Sequence, residues 1–123
     1  MKNILLIIVL TISIIFFSCK KENSTQVQTP IYQFEAVSKG VGEDCKTNLI
    51  QFTNNFALLD SITGFNGDIF YALNLPDNMK PVGTTIKLNI RKPNSSELLN
   101  CTTMGPTWGQ VYVLETELIQ TIK

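Results

Sequence analysis

The amino-acid sequence predicts an all-β domain, a small five-stranded OB-like barrel, with a small β-sandwich as the alternative. Three observations carry this expectation. Beyond residue 30 the apolar residues recur at every second position, as on half-buried strands, and no stretch keeps a helical repeat. The alternating runs are short and are separated by clusters of Gly, Pro, Asn and Asp. Laid flat, such a set of strands would leave one apolar face wet and two edges bare, and closure into a barrel removes both problems.

The chain opens differently. Lys2 precedes an apolar run from Ile4 to Phe17, broken only by Thr11 and Ser13, and Ser18-Cys19 leads into Lys20-Lys21-Glu22. A basic start, an apolar middle and a small residue before a polar switch describe a secretion signal. As a helix the run spans roughly 21 Å, short of the ~30 Å hydrocarbon core, and lengthening it would bury three charges. Phe16-Phe17-Ser18-Cys19 resembles the lipobox of bacterial lipoproteins, with Phe16 and Phe17 larger than that motif prefers. The resemblance implies a signal peptide over residues 1–18 and Cys19 as a lipidated N-terminus, with diacylglycerol on its sulfur and an acyl chain on its amine. Several acyl chains anchor stably where one does not. The expected location is the cell envelope, held to the outer membrane by lipid. Residues 19–30, polar apart from Val27 and Pro30, form a flexible tether.

The domain is read as residues 31–123. Tyr32, Phe34 and Ala36 alternate with Gln33, Glu35 and Val37 as a first strand, and Gly40 to Asp44 turns the chain. Cys45 opens a second strand that runs through Phe52. Phe56 to Leu59 is apolar but too short to classify. After the Asn66-Gly67 turn, Ile69 to Leu75 is apolar on both faces and reads as a central strand. Pro76 to Pro81 lacks two donors and suits a single helical turn. In the next strand Ile86, Leu88 and Ile90 oppose Lys87, Asn89 and Arg91. Leu98 to Cys101 resumes an apolar pattern, residues 102–109 form a loop, and the last strand, from Val111 to Leu118, places Tyr112, Leu114 and Leu118 on one face. In order, Asp44-Cys45, Tyr71 to Pro76, the Ile86 strand, Cys101 to Pro106 and the Tyr112 strand resemble short Bacteroidota lipoproteins. That resemblance covers about residues 31 to 120 and implies a small OB-like β domain without an assigned activity.

Composition narrows the chemistry. Ten basic and ten acidic residues cancel, with no long run of one sign, so nucleic acid is not an expected partner. There is no histidine, which removes the commonest general base, the Ser-His and Cys-His pairs and most transition-metal sites. Neither a cofactor nor a metal is expected. Asp60 to Asp68 superficially follows a calcium loop, but Ile62 and Gly64 stand where oxygen ligands belong. Cys45 and Cys101, the cysteines besides Cys19, read as a disulfide in an oxidising envelope; two unpaired buried thiols are the competing reading.

Two further residues stand out. Trp108, in Gly105-Pro106-Thr107-Trp108-Gly109, is either a stacking surface for a ligand or a plug over the barrel core. Asp60-Ser61-Ile62 resembles the acceptor of Bacteroidota O-glycosylation and makes Ser61 a candidate modification site. The functional expectation is a membrane-anchored, non-catalytic module that binds a protein or glycan through loops at one end of the barrel. The alternative is a small carboxylate-dependent hydrolase of envelope or dietary glycans, although Glu115 and Glu117 read as solvated. A structural spacer is the third reading.

Overall fold

A computed structural model describes residues 28–101 and 108–120. The signal peptide, Cys19, most of the tether and residues 102–107 lie outside the described residues. Five strands are present: β1 (Phe34–Val41), β2 (Asn48–Phe52), β3 (Ile69–Leu73), β4 (Thr85–Arg91) and β5 (Gly109–Gln120). They close into a barrel in the order β1-β2-β3-β5-β4, with β4 returning to β1. The β3–β5 pairing is parallel and the other four are antiparallel. Closure pairs each strand on both sides, so the OB-like barrel, not the sandwich, is the fold.

Alternation explains three of the strands directly. Phe34, Ala36 and Ser38 of β1, Asn48, Ile50 and Phe52 of β2, and Ile86, Leu88 and Ile90 of β4 point inward and are buried. β3 buries Phe70 to Leu73 consecutively, as a central strand covered on both faces does. Phe34, Phe52 and Phe70 form an edge-to-face series through the core, with centroids 5.3 and 5.8 Å apart. Each such ring contributes roughly 1.5–3 kcal/mol by burial, and each edge-to-face pair adds a further ~1 kcal/mol.

A bulge lets β1 bend far enough to serve two neighbours. The register slips between Ser38 and Gly40, and Gly40 takes φ +87°, open to glycine at little cost. A Cβ there would also lie 2.8 Å from Val82.

Four details differ from the sequence reading. β2 starts at Asn48, and Cys45 belongs to the preceding turn, closed by Gly42 N–H donating to the Thr47 carbonyl. The unclassified run at Phe56 begins a helix, α1 (Phe56–Thr63), which ends on Gly64 in the left-handed conformation. Leu59 and Thr63, four residues apart, are its buried side chains. Residues 98–101 form no strand, and Leu98 and Leu99 are exposed. In β5 the core residues are Val111 and Val113, while Leu114 and Leu118 are exposed, at 51% and 43%. Asn89 pairs with Glu115 and Ile90 with Val113, so Leu114 is the extra residue of a bulge that shifts the strand's phase. The turn after β3 is close to expectation, a single 3-10 turn at Asp77–Met79 with Pro76 as its N-cap.

These connections give the barrel two unlike ends. α1 joins the end of β2 to the start of β3 and packs Leu59 into the core from that side. The opposite end, where β2 starts and β3 finishes, carries the single 3-10 turn at Asp77–Met79, which sets Met79 into the core.

Candidate functional site

The end away from α1 holds a cleft of about 520 Å³. Its floor is Ala72, Leu73 and Leu75, from the end of β3 and the residues after it. One lip is the β1–β2 turn, with Lys46, Thr47 and Asn48. The other is the β4–β5 loop, with Glu97 and Leu99; Tyr112, Asn74 and Lys80 complete the wall.

Both lips are braced. The disulfide Cys45–Cys101 ties one loop directly to the other across a Cα–Cα distance of 4.8 Å. The pairing expected from composition is therefore present, at the rim of the cleft. Arg91, the last residue of β4, donates two hydrogen bonds of 2.7 Å to the two Glu97 carboxylate oxygens, and the Asn94 N–H donates to Glu97 as well. The guanidinium also sits 3.9 Å from the centroid of the Tyr112 ring, its cross-strand neighbour. Further along, the Gln110 side chain accepts from the Leu99 N–H and donates to the Leu99 carbonyl, substituting for a strand partner. On the other lip Lys46 holds φ +51° and its N–H donates to the Gly42 carbonyl.

Two asparagines are fixed by the backbone beside them. Asn48, buried, donates from Nδ2 to the Lys80 carbonyl at 3.0 Å. Asn74, in the left-handed region at φ +63°, donates from Nδ2 to the Val113 carbonyl at 3.1 Å. Carbonyl oxygens only accept, so the nitrogen of each amide must face its carbonyl, and the amide oxygen is left for other partners.

The electrostatics follow from these contacts. The double hydrogen bond from Arg91, aided by the Asn94 N–H, holds the Glu97 carboxyl down at about 2. The same pairing pushes Arg91 upward. Lys80 donates to Asp77 at 2.5 Å and lowers that carboxyl below its ordinary range.

Apart from Cys45 and Cys101, the residues singled out in the sequence that lie among the described residues fall elsewhere. Trp108 is half-buried just ahead of β5. Its neighbour Gly109 pairs with Phe70 at the start of β3, so close that a Cβ would lie 2.8 Å from that ring and 3.4 Å from Phe65. Four strand positions, roughly 13 Å, separate it from Tyr112, and it does not line the cleft. Ser61 lies on α1, exposed, with its hydroxyl donating to the Leu58 carbonyl. Glu115 and Glu117 are exposed on the outer face of β5, where Glu115 accepts from Asn89. Burial, followed by the nearby charges of Glu117 and Glu115, raises the Tyr32 hydroxyl above its usual range. No trio of histidine, cysteine or carboxylate residues converges among the described residues. Compared with models of protein families, with curated proteins and with solved structures, the chain matches none of them.

Proposed function

We propose that the protein is a lipid-anchored envelope module that binds a ligand in the cleft between the β1–β2 and β4–β5 loops and performs no chemistry on it. One observation carries the reading: the cleft is preformed, with lips joined by the Cys45–Cys101 disulfide and stiffened by the Arg91–Glu97 pair. Its volume is within the range of small-molecule sites, and fixed loops spare the ordering cost of binding. The carboxylate in its wall supports binding over hydrolysis. Glu97 is committed to Arg91 and stays ionised near neutral pH, whereas a general acid needs a value raised toward the working pH. Ser18-Cys19 supports the anchor, with the membrane as the partner of the N-terminal lipid.

The test has two arms. Cys19→Ser should leave precursor or released protein, and mature variant still partitioning with membranes would overturn the anchor. Nuclear magnetic resonance against peptidoglycan digests, oligosaccharides and short peptides should shift resonances at residues 46–48, 73–75 and 112 and leave the added compound intact. Turnover abolished by changing one carboxylate would establish the hydrolase instead.

A further inference from the structure

The chemistry of the cleft wall is that of a surface for hydroxyl groups. The Asn48 and Asn74 side chains each spend one of two N–H donors on a backbone carbonyl, which fixes the amide with its oxygen turned the other way as an acceptor and one N–H left over. Such acceptors need a ligand that donates. Lys46, exposed on the first lip, supplies ammonium donors, and a sugar hydroxyl can donate and accept at once. Between these polar groups lie Leu73, Leu75, Leu99 and the Tyr112 ring, apolar surface of the kind that the C–H faces of a pyranose cover. From this juxtaposition we infer that the cleft takes a neutral oligosaccharide, an inference that rests on the binding reading above.

The other ligand classes fit less well, for reasons visible at the rim. An acidic glycan would meet little free positive charge. Lys80 is paired with Asp77 and Arg91 with Glu97, while Glu43 and Asp44 stand on the same turn as Lys46. A peptide recognised by strand addition needs an open edge. β3, which forms the floor, is hydrogen-bonded to β2 on one side and to β5 on the other.

The experiment titrates the full-length protein in mild detergent with cellohexaose, xylohexaose, maltohexaose and chitohexaose, and separately with hexagalacturonate and a mixed pentapeptide. The expected result is that at least one neutral hexasaccharide shifts the Asn48, Asn74 and Tyr112 resonances. Asn74→Gly keeps the left-handed backbone and removes one acceptor, so it should weaken that binding about five- to tenfold, the worth of one hydrogen bond. If Asn74→Gly melts early, Lys46→Gly serves instead, since it removes a donor where glycine also suits the backbone. Hexasaccharide binding that neither variant weakens overturns the inference. A response to hexagalacturonate or peptide alone overturns it too, while leaving the binding module in place. If none of the probes shifts the cleft, both readings fall.

Discussion

Replacing the disulfide as Cys45→Ser/Cys101→Ser should cost the domain about 4 kcal/mol. The two cysteines are 56 residues apart in sequence, and their link closes a loop holding β2, α1, β3 and β4. On the chain-entropy relation a loop of that length removes roughly 14 cal/mol/K from the unfolded ensemble, or about 4 kcal/mol at 25 °C. For a domain of about 90 residues the unfolding entropy is roughly 0.19 kcal/mol/K, so the melting temperature should fall by about 20 °C. Because the stabilisation acts on the unfolded chain, the denaturant slope should rise once that chain is free to expand. Circular dichroism during urea and thermal unfolding measures both quantities, and reduced wild-type protein should match the double variant. A loss below ~1 kcal/mol with an unchanged slope would refute the argument, since the bond would then be only a local clamp on two loops.

Three further outcomes are expected. Glu97 is lowered to about 2 from 4.5, so its ionised form favours the fold; that contribution is complete above pH 4.5 and is lost as the pH falls toward 2. Glu97→Gln should therefore flatten this part of the acid limb of the urea midpoint, and a carboxyl titration of Glu97 centred above pH 4 contradicts it. Thr84 is fully buried and its hydroxyl has no hydrogen-bond partner among the described residues, so Thr84→Val should raise stability by ~1 kcal/mol in the same urea assay, and a loss would mean the hydroxyl is satisfied. A Cβ at Gly42 would lie 2.5 Å from the buried Tyr71 ring, so Gly42→Ala should cost about 1–3 kcal/mol by calorimetry; an unchanged melting temperature would show that the turn can move aside.

How far the sequence could be read depended on whether its periodicity stayed in phase. β1, β2 and β4 keep strict alternation on their inner faces, and their core residues follow from it. β5 does not, because the bulge at Leu114 moves the inward face by one residue, so Tyr112 and Leu118, which plain alternation puts on one face, pair with Arg91 on the outer face of β4 and Ile86 on its inner face. α1 has only eight residues and buries two of them, too few to set up a helical repeat. The cleft was hidden for another reason. Lys46, Asn48, Asn74, Glu97 and Tyr112 are scattered over some sixty-seven positions, roughly half the chain, and only barrel pairing gathers them. The one sequence clue to that end was the Cys45–Cys101 pair, which named both lips. Trp108 drew notice by composition, yet chain direction puts it at the α1 end of β5.

The parallel pairing of β3 with β5 also sets an order of events during synthesis. β5 is the strand that completes the circle, taking β3 on one side and β4 on the other. Until residues 109–113 have left the ribosome, β3 has no second neighbour, and Phe70 and Ala72 lack the Val111 and Val113 side chains that help enclose them. The nascent chain is thus obliged to carry an unfinished barrel, with contacts of long sequence separation forming last. With a C-terminal spacer long enough to clear the exit tunnel, ribosome-bound chains ending before Gly109 should accordingly be sensitive to protease across β3, and those extended past Gln120 protected.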